Sequence, residues 1–121
     1  MQTIEKIEAL KNRTRQFALN IIQLCQAMPK TEASMIMRKQ LLRSATSVGA
    51  NYRAACRARS KAELFHKLCI VMEEVDETDY WLDLIKNSGT YNQPPIDSLI
   101  SETLELVKIF STLKHQFKPK K

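Results

Sequence analysis

Four basic side chains recur along one segment at a spacing that places them on the same side of a helix. At about 100° per residue, Lys39, Arg43, Arg53 and Arg57 fall within a stripe roughly 80° wide. The guanidinium group presents a planar fork of donors that matches a phosphate or a carboxylate. No acid follows any of these residues four positions later, so the stripe lacks the usual ion pairs within a helix. This pattern predicts a surface that binds an anion.

Charge is divided between two neighbouring segments. Residues 38–67 carry eight basic side chains and one acid, whereas residues 73–83 carry six acids and no base. The formal net charge of +6 favours an anionic partner, and RNA or DNA is the commonest. Arg59, Lys61 and Lys67 are expected to extend the stripe around a helix junction. Because no base-reading module is recognisable, we expect contacts to the nucleic-acid backbone with little sequence preference.

Two other interpretations of the basic stripe stay open. A run of charge on a helix is most often only a solvated surface. The arginines could also engage an acidic protein, in which case the chain is a protein-protein adaptor or scaffold. The dependence of affinity on salt distinguishes phosphate binding from both.

Residues that could support catalysis or bind a metal form no complete set. Glu63 and His66 match half of the di-iron signature of helical bundles, which needs a second such pair and two further carboxylates. His66 and Cys69 could share a metal, but a zinc site needs about four ligands. The sequence also lacks a glycine-rich loop that could cradle a phosphate. We therefore expect no enzymatic activity, no cofactor and no metal.

Glycine and proline divide the chain into four segments with helical periodicity. We predict helices at about residues 3–28, 32–58, 61–88 and 97–117. Ser60 and Glu63 form a capping box at the start of the third helix, and Asp97 caps the fourth. Asn87-Ser88-Gly89 predicts a left-handed end to the third helix, and residues 90–96 form the following loop.

Apolar residues in each segment step by three and four, which predicts one buried seam per helix. The seam positions are Ile7, Leu10, Thr14, Phe17, Ile21, Leu24 and Met28; Leu41, Ala45, Val48, Tyr52 and Ala55; Leu64, Leu68, Val71, Val75, Thr78, Leu82 and Ile85; and Leu99, Thr103, Leu106, Phe110, Leu113 and Phe117. A chain of 121 residues suits one domain. Short connections make neighbouring helices antiparallel, so residues 1–121 are predicted to form an all-α, up-down-up-down four-helix bundle.

The chain shows no sequence signal for a membrane or for secretion. The longest purely apolar run, residues 68–72, is too short to span a bilayer. The first 12 residues lack the apolar core of a signal peptide, and the three cysteines are scattered singly. We expect a cytoplasmic protein with reduced thiols and no membrane partner.

Two further sets of residues are expected to stabilise the fold and its assembly. The third helix carries a mixed apolar and acidic patch away from its seam: Ile70, Glu74, Glu77, Trp81 and Leu84. A tryptophan exposed among acids is typical of an interface, so this patch is the predicted subunit interface. Arg38 flanks the seam of the second helix, and Asp79 is its predicted ion-pair partner. Ser44, Ser47 and Asn51 are small enough to allow a neighbouring helix to approach closely.

The segment from Leu41 to Ile85 resembles the four-helix-bundle family of 23S rRNA intervening-sequence proteins. The resemblance is carried by a Leu-x-Arg-Ser-x-x-Ser-x-x-x-Asn run from Leu41 to Asn51 and an Arg-x-x-x-Arg-x-Arg-Ser run from Arg53 to Ser60. Such proteins are similar to the accessory variability determinant of diversity-generating retroelements. The resemblance implies a ring-like homopentamer with a basic surface, and a role in binding nucleic acid and a reverse transcriptase.

Overall fold

Four α-helices account for most of the structure, a computed structural model that describes residues 3–120. They are α1 (Ile4–Ala27), α2 (Glu32–Cys56), α3 (Lys61–Asn87) and α4 (Pro94–Gln116). No strand occurs between residues 3 and 120, and the predicted all-α class is confirmed. Within the same residues, none of the helices combines the length and apolar character needed to cross a membrane.

Hydroxyl side chains cap the first three helices. Thr3, Thr31 and Ser60 each accept a hydrogen bond from the backbone N–H three residues later. The Glu63 carboxylate reaches back to the backbone N–H of Arg59 at 3.3 Å, rather than to that of Ser60 as a capping box requires. At the other end of α3, Gly89 has a φ of +76°, which is the left-handed end that the sequence predicted.

The fourth helix begins at Pro94, three residues before the predicted start. Pro94 and Pro95 occupy its first two positions, where a missing N–H costs nothing and the fixed φ of proline suits the helix. The prediction that Asp97 is the cap was therefore wrong. Asp97 lies in the first turn of α4, where its negative charge interacts favourably with the helix dipole. Its carboxylate also contacts Lys86 Nζ at 2.6 Å.

The helices pack in chain order, and each is antiparallel to the next because the connections are short. The α2–α3 interface is the most extensive and the α1–α4 interface the least. A bidentate ion pair between Arg13 and Glu102, at 2.7 Å, crosses the α1–α4 interface. The weaker packing of α1 against α4 leaves shallow hollows along that side of the bundle.

The predicted seams form the core. All predicted seam residues are buried except Ile7, Leu64 and Phe117, which are half-buried. These three lie at the same end of the bundle, where α1 and α3 begin and α4 ends. Packing is therefore complete along most of the bundle and opens at that end.

Small hydroxylated residues help α2 and α3 to pack closely. Ser44 is fully buried, and its hydroxyl accepts a hydrogen bond from Thr78 of α3 at 2.9 Å. Thr78 Oγ1 also lies 2.8 Å from the Glu74 carbonyl, so the buried pair is satisfied. Ser47 and Asn51 are half-buried and bond to carbonyls of their own helix. The expectation of close packing is thus met at Ser44.

Ser34 provides a test of how polar groups are buried in this core. Its side chain is fully buried, and its hydroxyl has no hydrogen-bond partner among residues 3–120. Replacing Ser34 with alanine should raise the free energy of unfolding by about 1 kcal/mol, because the substitution removes a desolvated hydroxyl and improves helix propensity. Urea denaturation checks this, and a loss of stability would show that the hydroxyl is satisfied in solution. Ser44→Ala is the matched control and should destabilise.

The cysteines should differ sharply in reactivity. Burial raises the pKa of Cys25 to about 11, whereas Cys56 is exposed. At pH 8 only about one Cys25 side chain in a thousand is then the reactive thiolate. Iodoacetamide should modify Cys56 within minutes and leave Cys25 unmodified until denaturant is added, as followed by mass spectrometry. Equal rates in the folded protein would contradict the buried position of Cys25.

Candidate nucleic-acid interface

The basic stripe of α2 is only partly available to a ligand. Lys39, Arg53 and Arg57 are exposed and form no ion pair among residues 3–120. Arg43 differs, because its guanidinium donates to both Glu74 and Glu77 of α3. The absence of acids at i+4 on α2 therefore did not exclude partners on the neighbouring helix.

Arg43 is part of a small network of side chains on the α2–α3 surface. Its Nη1 lies 3.3 Å from the Glu74 carboxylate, and the Glu77 carboxylate accepts a further hydrogen bond from Trp81 Nε1 at 3.0 Å. These contacts lower the pKa of Glu77, first through the Trp81 hydrogen bond and then through Arg43. Because two carboxylates balance its positive charge, Arg43 is less available to a phosphate than Lys39, Arg53 and Arg57, and its role in binding stays a prediction.

Lys39 lies in the first half of α2, away from the other exposed cations of the stripe, which cluster at one end of the molecule. The turn between α2 and α3 places Arg53, Arg57, Arg59 and Lys61 together, because α2 ends at Cys56 and α3 begins at Lys61. The antiparallel bundle brings the residues that follow α4 to the same end, where Lys118 and Lys120 line a hollow together with Lys61. We call this set the basic pole: Arg53, Arg57, Arg59, Lys61, Lys118 and Lys120. All six side chains are exposed.

Opposite charge at the basic pole is sparse. Glu63 lies 4.0 Å from the Arg59 guanidinium, whose side chain is 92% exposed, so this pair is loose and solvated. Glu5 lies in the first turn of α1 at the same end, and Glu8 is paired with Lys11 at 3.1 Å. Lys67, another predicted site residue, is half-buried in the second turn of α3. The pole therefore keeps a strong net positive charge.

Two members of the pole were not predicted as binding residues. Lys118 and Lys120 follow the last helix and lie outside the four predicted helices. Their signal was indirect: in an antiparallel bundle, the end of α4 must lie beside the start of α3. Helix direction, rather than local sequence, identifies them.

The predicted interface patch extends from the middle of α3 towards its C-terminal end, away from the basic pole. Ile70, Glu74, Glu77, Trp81 and Leu84 are all half-buried. Trp81 and Leu84 pack against the core, so Trp81 is less exposed than the sequence suggested. The ring of Tyr80, which is 55% exposed, lies edge-on to Trp81 at 5.1 Å. The patch offers aromatic and acidic groups at the surface, and its role as a subunit interface stays a prediction.

The predicted ion pair between Arg38 and Asp79 is absent from residues 3–120. Arg38 Nη1 instead donates to the Cys25 carbonyl at 3.3 Å, near the end of α1, where helix carbonyls lack intrahelical partners. Burial raises the pKa of Asp79, and the nearby carboxylates of Asp83 and Asp76 raise it further. Arg38 therefore stabilises the α1–α2 connection rather than α3.

In the described part of the chain, the possible metal ligands of the sequence gain no further ligands from neighbouring helices. The Glu63 carboxylate is engaged by the Arg59 backbone N–H at 3.3 Å. Among residues 3–120, no group of three or more His, Cys, Asp and Glu side chains is arranged to hold a metal ion.

Comparison with known proteins places the chain in a family. The family model of the 23S rRNA-intervening sequence protein matches residues 6–112. A solved structure of a protein of unknown function from the S23 ribosomal protein family of Bacteroides thetaiotaomicron is 33% identical in sequence, with a TM-score of 0.79 over 86% of this chain and 96% of that chain. Comparison with curated proteins gives no significant match. The chain belongs to the 23S rRNA-intervening sequence protein family.

Proposed function

We propose that this protein is a non-enzymatic nucleic-acid-binding protein that holds RNA or DNA by the backbone at its basic pole. The observation that carries the proposal is the set of exposed cations, from Arg53 to Lys120, gathered at one end with few acids among them. Such a cluster raises the local concentration of a polyanion and releases its counterions on binding. The family name, which refers to a sequence within 23S rRNA, supports an RNA-related role.

The chemistry of the pole favours phosphate over base recognition. Three of its six members are arginines, whose forked donors match phosphate oxygens in a bidentate arrangement. The six exposed cations lie at helix ends and in the segments that flank them, and the sequence carries no recognisable base-reading motif. Backbone contacts position a nucleic acid without carrying sequence information. The proposed binding is therefore salt-sensitive and sequence-independent.

Fluorescence anisotropy with labelled RNA and DNA tests this function directly. Two unrelated sequences of equal length should bind with dissociation constants within about threefold of each other, because the contacts are to phosphates. Preference for one sequence by more than about tenfold would contradict backbone recognition. Binding of an acidic polypeptide such as polyglutamate more tightly than any nucleic acid would favour the adaptor function instead.

The proposal includes assembly into a homo-oligomer, for which the family resemblance suggests a ring-like pentamer. Repetition of the basic pole around an axis would sum its field and strengthen binding to a long polyanion. The same resemblance suggests a reverse transcriptase as a protein partner. The α3 patch is the proposed contact between subunits, since it combines Trp81 with carboxylates at the surface.

Trp81→Asp tests the proposed assembly. We expect it to reduce the mass measured by light scattering to that of one chain, while far-UV circular dichroism stays helical, because a charge replaces the anchor of the interface. Leu104→Asp is the matched control, since Leu104 is 47% exposed on α4 and outside the patch. An assembly that keeps its size in the Trp81 variant would refute the patch.

A further inference from the structure

A cleft opens at the same end of the bundle as the basic pole, where the helices are incompletely packed. Its volume is about 380 Å³, within the range of small-molecule sites. Its apolar wall contains Ile7, Tyr52, Leu64, Leu68, Leu113 and Phe117. The three seam residues that are only half-buried belong to this wall, so the cleft is the place where the core of the bundle meets solvent.

The rim of the cleft differs in chemistry from its wall. Arg59, Ser60 and Lys61 lie on the rim at the start of α3. Arg59 is 92% exposed with only a loose ion pair, and Lys61 is exposed without an ion pair among residues 3–120. The first turn of α3 adds the partial positive charge of a helix N-terminus. An apolar body in the cleft would therefore place an anionic head beside two cations.

We propose that this cleft binds a small amphipathic anion, with an alkyl or aryl body in the cleft and a carboxylate at the rim. A nucleobase fits less well, because the largely apolar wall would leave its polar edges without partners. An alkyl chain loses only contact with water on entering such a site. The charge of the rim selects a carboxylate over a neutral or cationic head. The apolar wall of this site lies outside the basic pole, whereas its rim shares Arg59 and Lys61 with the pole.

The rate at which Cys56 is modified reports whether a ligand occupies the cleft. It lies on the wall of the cleft and is exposed, whereas Cys69 lies on α3 away from the cleft. Decanoate, held below its micelle concentration, should slow the modification of Cys56 by iodoacetamide about tenfold at saturation, because it covers the thiol. Modification of Cys69 should change less than about twofold in the same sample. Equal rates with and without decanoate would overturn the proposal.

Two variants and one neutral ligand establish the chemistry of the site. Ala58→Trp, which fills the mouth of the cleft from the loop, should abolish protection of Cys56. Arg59→Gln combined with Lys61→Gln should weaken decanoate binding about tenfold by removing the charge of the rim. Decanol should protect at least about tenfold more weakly than decanoate in the unmodified protein. Equal protection by decanol, or an unchanged affinity in the double variant, would overturn the assignment of an anionic ligand.

Discussion

Replacing Arg53 and Arg57 with glutamine should weaken RNA binding about 100-fold, because each arginine loses a charge-assisted hydrogen bond to phosphate. Both side chains are exposed on the last turns of α2, so the fold should be unaffected. Anisotropy titration at low salt measures the affinity, and circular dichroism confirms helicity.

A control variant with the same change in net charge distinguishes the effect of the basic pole on RNA binding from that of the overall charge. Arg15→Gln combined with Lys30→Gln removes two exposed cations outside the basic pole. We expect this control to weaken RNA binding less than about threefold, since its charges act only through the long-range field. Equal losses in the two double variants would mean that net charge, and not the pole, determines binding.

The second large effect concerns the core. Phe110→Ala should lower the free energy of unfolding by about 3 to 5 kcal/mol, because it leaves a large cavity among fully buried residues. Phe110 is 0% exposed, and its ring lies edge-on to that of Tyr52 at 5.4 Å, a favourable aromatic pair that the substitution also removes. Urea denaturation monitored by circular dichroism gives the change.

Leu104→Ala provides the comparison for this core substitution. Leu104 lies on the same helix but is 47% exposed, so its loss should cost less than about 1 kcal/mol. Similar losses at the two positions would contradict the burial of Phe110 and the packing of α4 against the bundle.

Periodicity predicted most of the core, although it missed the buried side chains of Cys25, Met37 and Ile96. Apolar residues recur every three or four positions along each helix, and members of these series such as Ile21, Leu41 and Val75 are fully buried. The signal is strong because a helix that packs on two neighbours must keep one apolar stripe along its whole length. Pro29 and Gly89 marked the connections that follow α1 and α3, and Gly89 has a φ of +76°.

Other features depended on information that local sequence does not contain. A proline pair can end a loop or begin a helix, and the choice at Pro94 depends on what the first turn of α4 packs against. The partner of Arg38 lay on α1 rather than α3, since a residue beside a seam can face either neighbouring helix. Pairing between helices requires their relative rotation, which a helical wheel of one segment does not give.

The candidate site was likewise predictable from the sequence only in part. The sequence predicted a cationic surface on α2, and the exposed positions of Lys39, Arg53 and Arg57 agree with that expectation. It did not predict that Glu74 and Glu77 would engage Arg43, which requires knowledge of how α3 packs against α2. The contribution of residues beyond α4 to the pole likewise follows from the antiparallel arrangement.

The dependence of duplex affinity on salt tests the central claim most directly. If Arg53, Arg57, Arg59 and Lys61 each contact one phosphate of duplex DNA, the slope of log affinity against log salt concentration should be about −3.6. The Arg53→Gln, Arg57→Gln variant should then give about −1.8, since two contacts are lost. A slope near zero in the unmodified protein, or the same slope in both proteins, would contradict phosphate binding at the basic pole.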